Sequence, residues 1–193
     1  NMSLDIDLVI NRSKEIGVKK FIFPAIDSSR FNDMHSLKDK YPDCIYLMSG
    51  LHPTDVKENF NDELDFVVNS LKTHDYVAIG EIGLDLFVRK DNIDKQEHFL
   101  ISQLKLAIDY DLPVILHTRN AIDIVLKHLR RYKVRGGIAH AFNGSSQQAY
   151  QFIDLGFKLG FGGAMTYPRA KHIQRLAKEL PIESIVLETD SPD

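Results

Sequence analysis

Four short apolar runs in this chain each end in a side chain that can hold a metal ion. Val77-Ala78-Ile79-Gly80 runs into Glu81, Val114-Ile115-Leu116 into His117, Gly137-Ile138-Ala139 into His140, and Ile185-Val186-Leu187-Glu188-Thr189 into Asp190. Runs of this length without polar alternation suit strands buried on both faces. An acid has no reason to stand where such a strand should end unless something compensates its charge. Several parallel strands that each deliver a ligand-type residue at the C-terminal tip are how a (β/α) barrel builds an active site.

The remaining sequence agrees with that frame. Strands are expected over residues 20–26, 44–51, 113–116, 136–139, 157–161 and 184–188, besides the one reaching Glu81, and the second runs into His52-Pro53. Helices are expected over residues 4–16, 28–41, 62–72, 94–109, 121–132 and 170–180. A further helix, capped by Ser145 or Ser146, ends near Gly156. In the first helix Leu4, Leu8, Val9 and Ile16 should face inward. In the long one the inward set is Phe99, Leu100, Leu104, Ala107 and Ile108. Strands alternating with helices over short connections imply parallel pairing and right-handed crossovers. An open doubly wound sheet is the competing fold. The (β/α)8 barrel of TIM type is favoured because the polar tips are spread over four strands and not gathered at one switch point.

A chain of 193 residues suffices for one domain with a sizeable core. Hydrophobic residues make up 44% and charged residues 26%, which fits a soluble globular protein. A net charge of −3 does not advertise a basic surface, so nucleic-acid contact would need local positive charge or bound cations. The lone cysteine, Cys44, cannot make an internal disulfide, and neither a signal peptide nor a membrane-spanning apolar run is visible; a cytoplasmic monomer is the expectation.

The histidines sort by position. His35, His98, His128 and His172 fall in expected helices and His74 in a loop, the places of ordinary solvated or half-buried histidines. His52, His117 and His140 stand at strand tips on the side of Glu81 and Asp190. Imidazoles with carboxylates suit Zn²⁺, Mn²⁺ or Fe²⁺, and carboxylates with water also suit Mg²⁺. The basic cluster Lys127, Arg130, Arg131, Lys133 and Arg135 ends a helix and enters the next strand. That is the opposite barrel face, so it reads as a solvated cluster compensating the helix dipole. Gly162-Gly163 and the capped turn at Ser145 are better phosphate candidates.

Gly80-Glu81-Ile82-Gly83-Leu84-Asp85, Pro113-Val114-Ile115-Leu116-His117, His140-Ala141-Phe142-Asn143-Gly144-Ser145, Leu187-Glu188-Thr189-Asp190-Ser191-Pro192 and Gly50-Leu51-His52-Pro53 resemble the sequence blocks of the TatD family of metal-dependent deoxyribonucleases. Leu84-Asp85-Leu86-Phe87 and Thr166-Tyr167-Pro168-Arg169-Ala170 are similar to its YjjV-like branch. The blocks follow the family order over essentially the whole chain.

The resemblance implies two divalent ions, Mg²⁺, Mn²⁺ or Zn²⁺, bridged by Glu81. His117 and His140 would hold one. Asp190 would hold the other and accept a proton from the attacking water. His52 and Glu188 would lie near the scissile group. Arg119 either reaches a substrate phosphate or caps the barrel rim. DNA is the implied substrate.

The chain also departs from the family pattern. No His-x-His pair precedes the first expected strand, and Thr54 stands where a second histidine often follows the Gly-x-His-Pro block. The expectation is therefore one barrel domain over residues 1–193, incomplete at both ends, with strands 2 to 8 of the barrel present. Such a stretch should hold one ion well at most and cleave slowly or not at all. The leading function is a metal-dependent hydrolase of phosphodiester bonds, a TatD-type deoxyribonuclease. The alternatives are an ester or lactone hydrolase on the same metal site and a catalytically inert barrel scaffold.

Overall fold

A computed structural model describes residues 5–25, 31–56, 60–88 and 90–189. Seven parallel strands pair in sequence order, β1 to β7, into one curled sheet. They are β1 (Phe21–Ala25), β2 (Ile45–Ser49), β3 (Ala78–Asp85), β4 (Val114–Arg119), β5 (Gly137–Ala139), β6 (Phe157–Phe161) and β7 (Ile185–Leu187). The helices that alternate with them are α1 (Ile6–Glu15), α2 (Phe31–Lys40), α3 (Phe60–Thr73), α4 (Ile93–Asp109), α5 (Ile122–Arg131), α6 (Ser146–Asp154) and α7 (Lys171–Glu179). This is the wall of a TIM-type (β/α) barrel, with every strand pointing its C-terminal end the same way. Among the described residues, no helix is long and apolar enough to cross a membrane.

Strand β3 is buried on both faces, with Ile79, Ile82 and Leu84 fully enclosed, but β4 and β5 are not as expected: Val114, Leu116 and Ala139 are enclosed while Ile115 and Ile138 on the other face are only half-buried. Helix α5 covers them with Val125, Leu126 and Leu129. Helix α6 starts at a capping box in which Ser145 Oγ accepts from the Gln148 amide and Gln148 Oε1 accepts from the Ser145 amide. Its Phe152 packs edge-on against Phe142 and Phe157. The basic cluster after α5 is partly engaged in structure. Arg130 donates to Gln151 and Arg135 to the Asp111 carbonyl, at the end of the barrel away from the strand tips.

Two helices turn differently from expectation. In α1 the buried residue is Ile10, while Leu8 and Ile16 are exposed; Leu4 lies outside the described residues. A polar anchor sets the phase. Asp7 binds Lys40 and the Tyr41 hydroxyl of the α2 segment, and Lys14 lies over the Tyr41 ring. Asp7, Ile10 and Lys14 share a face at helical spacing, which rotates Leu8 and Ile16 outward. In α4 Phe99, Leu100, Leu104 and Ala107 are buried as expected, but Ile108 is not. Two glutamines, Gln96 and Gln103, are fully buried on that face and shift its centre away from Ile108.

Strand β3 also continues four residues past Glu81. Its register with β4 moves from Ile79↔Val114 to Ile82↔Leu116, three steps against two, so a bulge falls at Gly80 and Glu81. The Gly80–Glu81 peptide bond is cis. Past the bulge Gly83 pairs with His117 at a positive φ of 152°, and a Cβ there would collide with the His117 carbonyl. Glu81 and His117 thus sit within strands and not at their final residues.

Candidate active site

A bulge re-aims a side chain, and at Glu81 the result is a carboxylate set against histidines. Glu81 Oε1 lies 3.0 Å from His117 Nδ1 on β4 and 3.8 Å from His52 Nε2 after β2. One ligand-type atom from each of His52, Glu81 and His117 falls within 4.8 Å of the others. The rings of His52 and His117 meet edge to face with centroids 4.4 Å apart. All three line a cleft of about 1180 Å³ that also takes in Arg119, His140 and Ser145.

Each histidine is steadied on its far side. His117 Nε2 lies 3.1 Å from Asp85 Oδ2. Both ring nitrogens of His117 thus face carboxylate oxygens and donate to them when the ring is protonated; with the proton on Nε2 alone, donated to Asp85, Nδ1 would be free to hold a metal ion. His52 Nδ1 lies 2.7 Å from Thr54 Oγ1. Nδ1 also accepts the Thr54 amide at 3.3 Å, so in the neutral ring the proton is on Nε2, which faces Glu81. Thr54, the departure from the family pattern, thus steadies a site imidazole. His140 Nδ1 lies 2.8 Å from Glu188 Oε2, and Glu188 Oε1 accepts the Ala141 amide at 2.6 Å. Ala141 takes a left-handed conformation, φ 45°, at this contact. Glu188 is seated over Gly160, where any Cβ would lie 2.0 Å from its carboxylate.

The charges fit this picture. Burial opposes the ionised form of Glu81, but the His117 hydrogen bond and the imidazoles of His140, His52 and His117 outweigh it, and the carboxyl titrates below its usual range. Burial likewise opposes protonated His117, yet Glu81 and Asp85 prevail and raise its pKa. Burial and the neighbouring His117 hold the His52 pKa below that of a free histidine. Asp85 is buried, but the amides of Val88 and Phe87 and the His117 ring keep it ionised below the ordinary range.

Of the residues singled out from sequence, Glu81, His52 and His117 converge, His140 shares their cleft, and Glu188 meets His140. Arg119 ends β4 with its guanidinium 4.1 Å above the Phe87 ring. Asp190 lies outside the described residues. The Ser145 turn borders the cleft, but its amide already serves the capping box.

Sequence reasoning gave no role to Asp85, although it stands in the most telling motif, and none to the two glutamines of α4. Gln96 accepts the Asp85 amide at 2.7 Å and donates to its carbonyl at 3.2 Å. Gln103 accepts the Leu51 amide at 2.6 Å and donates to its carbonyl at 3.3 Å. One clamp holds the acid behind His117 and the other the residue before His52. Two glutamines seven apart on the buried face of an amphipathic helix were the available signal.

The TatD-related DNase family matches residues 1–193. YjjV of Escherichia coli K12, described as an uncharacterized metal-dependent hydrolase, is 41% identical over 98% of this chain and 74% of its own length. Its crystal structure superimposes with a TM-score of 0.92. A TatD-family hydrolase structure from Entamoeba histolytica gives a TM-score of 0.82 at 25% identity, covering 96% of this chain and 65% of that one. The 3'-5' ssDNA/RNA exonuclease TatD of Yersinia pseudotuberculosis is 30% identical over 97% of this chain and 71% of its own.

Proposed function

Because the chain belongs to the TatD family of metal-dependent hydrolases, we propose that it hydrolyses phosphodiester bonds of DNA at the Glu81 centre, within a single barrel domain that includes residues 1–193. The observation that carries this reading is the convergence of His52, Glu81 and His117 in one cleft. The exonuclease name of the Yersinia relative supports nucleic acid over a small ester.

Two imidazole nitrogens and a carboxylate oxygen on separate elements form a donor set suited to a divalent ion such as Zn²⁺ or Mn²⁺. Of this set, Glu81 and His117, together with His140 from the same cleft, would hold one ion, and Glu81 with Asp190 would hold a second, with His52 left to the substrate side. Ions bound there supply a water of lowered pKa and positive charge for the leaving oxygen. The protein side of the reaction belongs to named groups. Asp190 accepts the proton of the attacking water. Glu188 orients His140 through Nδ1. His52, held by Thr54, faces the scissile group, and Arg119 draws the substrate phosphate into the cleft.

Incubation with end-labelled single-stranded DNA and Mn²⁺ or Mg²⁺ tests the reading. Metal-dependent shortening that chelator abolishes is expected. Hydrolysis of small esters or lactones with no DNA cleavage at high enzyme would transfer the assignment to a small-molecule hydrolase. Absence of both would leave a scaffold.

A further inference from the structure

Phe87 is 59% exposed, yet it is not loosely held. The Phe87 and Val88 amides each donate to Asp85 Oδ1 at 2.8 Å, and the Leu86 amide donates to the Arg119 carbonyl at 2.9 Å. Asp85 uses its other carboxylate oxygen on His117. A single buried acid therefore fixes both the histidine of the site and the loop that carries the ring. The Arg119 guanidinium backs that ring at 4.1 Å, and both side chains border the cleft of His52, Glu81 and His117. A large apolar side chain left open to water gains nothing from burial, and a solvated loop gains little from three anchoring hydrogen bonds. A flat ligand arriving at this spot accounts for both features.

We propose that Phe87, backed by Arg119, is the platform on which a nucleobase next to the scissile phosphate stacks. The inference rests on the reading of the site as a phosphodiesterase of nucleic acid. It adds the requirement for an unpaired base there, since a base within a duplex has no face to offer. An aromatic face with a guanidinium behind it suits a base attached to a phosphate: the ring takes the π-face and the cation faces the anion. Stacking of this kind tolerates any base, so the platform confers preference for single strands and not for sequence.

The test uses a fluorescent decathymidylate and a matched strand carrying an abasic residue beside the scissile bond, both with Mn²⁺. Base stacking is worth about 1–3 kcal/mol, so the wild type should show a KM roughly 5- to 150-fold lower for the intact strand. Phe87→Ala should raise KM for the intact strand to that of the abasic one, with kcat within about twofold, and Phe87→Trp should restore the difference. A Phe87→Ala protein that still distinguishes the two strands overturns the inference and leaves the nuclease reading standing. So does one that loses affinity for both strands equally. A wild type that cleaves neither strand removes the nuclease reading and the platform with it.

Discussion

Replacing Gly160 with alanine tests whether Glu188 seats His140 as the geometry implies. Gly160 lies within β6, and nothing in its backbone demands glycine apart from space. An added Cβ would stand 2.0 Å from Glu188 Oε2 and 2.4 Å from its Cδ. Ordinary contact begins near 3.4 Å, so the carboxylate must retreat by about 1.4 Å. That displacement breaks the 2.8 Å contact with His140 Nδ1 and the 2.6 Å bond from the Ala141 amide. Each is a charge-assisted hydrogen bond of about 1.5–3 kcal/mol, and loss of a partner behind a ligating histidine typically costs about 10- to 100-fold in metal affinity or activity. The fold should survive, because the clash meets the free end of a flexible side chain. Losing both bonds, about 3–6 kcal/mol together, should still lower Tm by roughly 6–24 °C, at about 2–4 °C per kcal/mol. At Gly83 the same substitution would drive Cβ onto the His117 carbonyl of the paired strand, and the protein should not fold. Mn²⁺ calorimetry, DNA cleavage and thermal melting of Gly160→Ala are the assays. Unchanged metal affinity and turnover would refute the supporting role of Glu188.

The other expectations are shorter. Glu81→Gln keeps the shape but removes the charge, so circular dichroism should be unchanged and cleavage abolished; retained turnover excludes a bridging role. Gln103→Leu leaves the buried Leu51 amide unpaired, a cost of about 1–3 kcal/mol. It should also slow cleavage beyond what the melting shift explains, since His52 follows Leu51; a Tm loss with full activity would make Gln103 a purely structural residue. His35 packs against His74 and Phe31, with Nε2 3.0 Å from the Tyr76 hydroxyl. Burial, then the charges of His74 and Lys38, put its pKa below 6.5. The unfolded chain therefore binds more protons between the two pKa values, and the stability from this group is lost as pH falls through that window. Tm curves between about pH 5 and 7.5 should converge for wild type and His35→Gln at the acid end; parallel curves would reject the shift.

The order of elements was legible because most of the parallel strands are built on short apolar runs, separated by stretches of helical period. Ligand-type residues at the ends of such runs also drew attention to Glu81, His52, His117 and His140 without any coordinates. What sequence concealed lies in contacts without periodic trace. The bulge that turns Glu81 toward His117 is a matter of register between two strands, and one strand read alone cannot display it. The phase of α1 is set by Asp7 reaching Tyr41 and Lys40, a polar contact that an apolar count passes over. Gln96 and Gln103 read as solvent-facing residues in any hydrophobicity profile, because their burial is compensated by the backbone of Asp85 and of Leu51, both outside the helix, and by Asn92 at the start of α4 and Phe99 within it.

Those two glutamines turn α4 into a gauge. Seven residues at 1.5 Å each set their Cα atoms about 10.5 Å apart along the axis, two turns of the helix. Adding or deleting one residue between them would swing one amide by about 100° and release either the strand tip before His52 or the one at Asp85. Length changes in this fold should accordingly be accepted in surface connections and refused within residues 96–103, and a scan of single-residue insertions through α4 would map that interval.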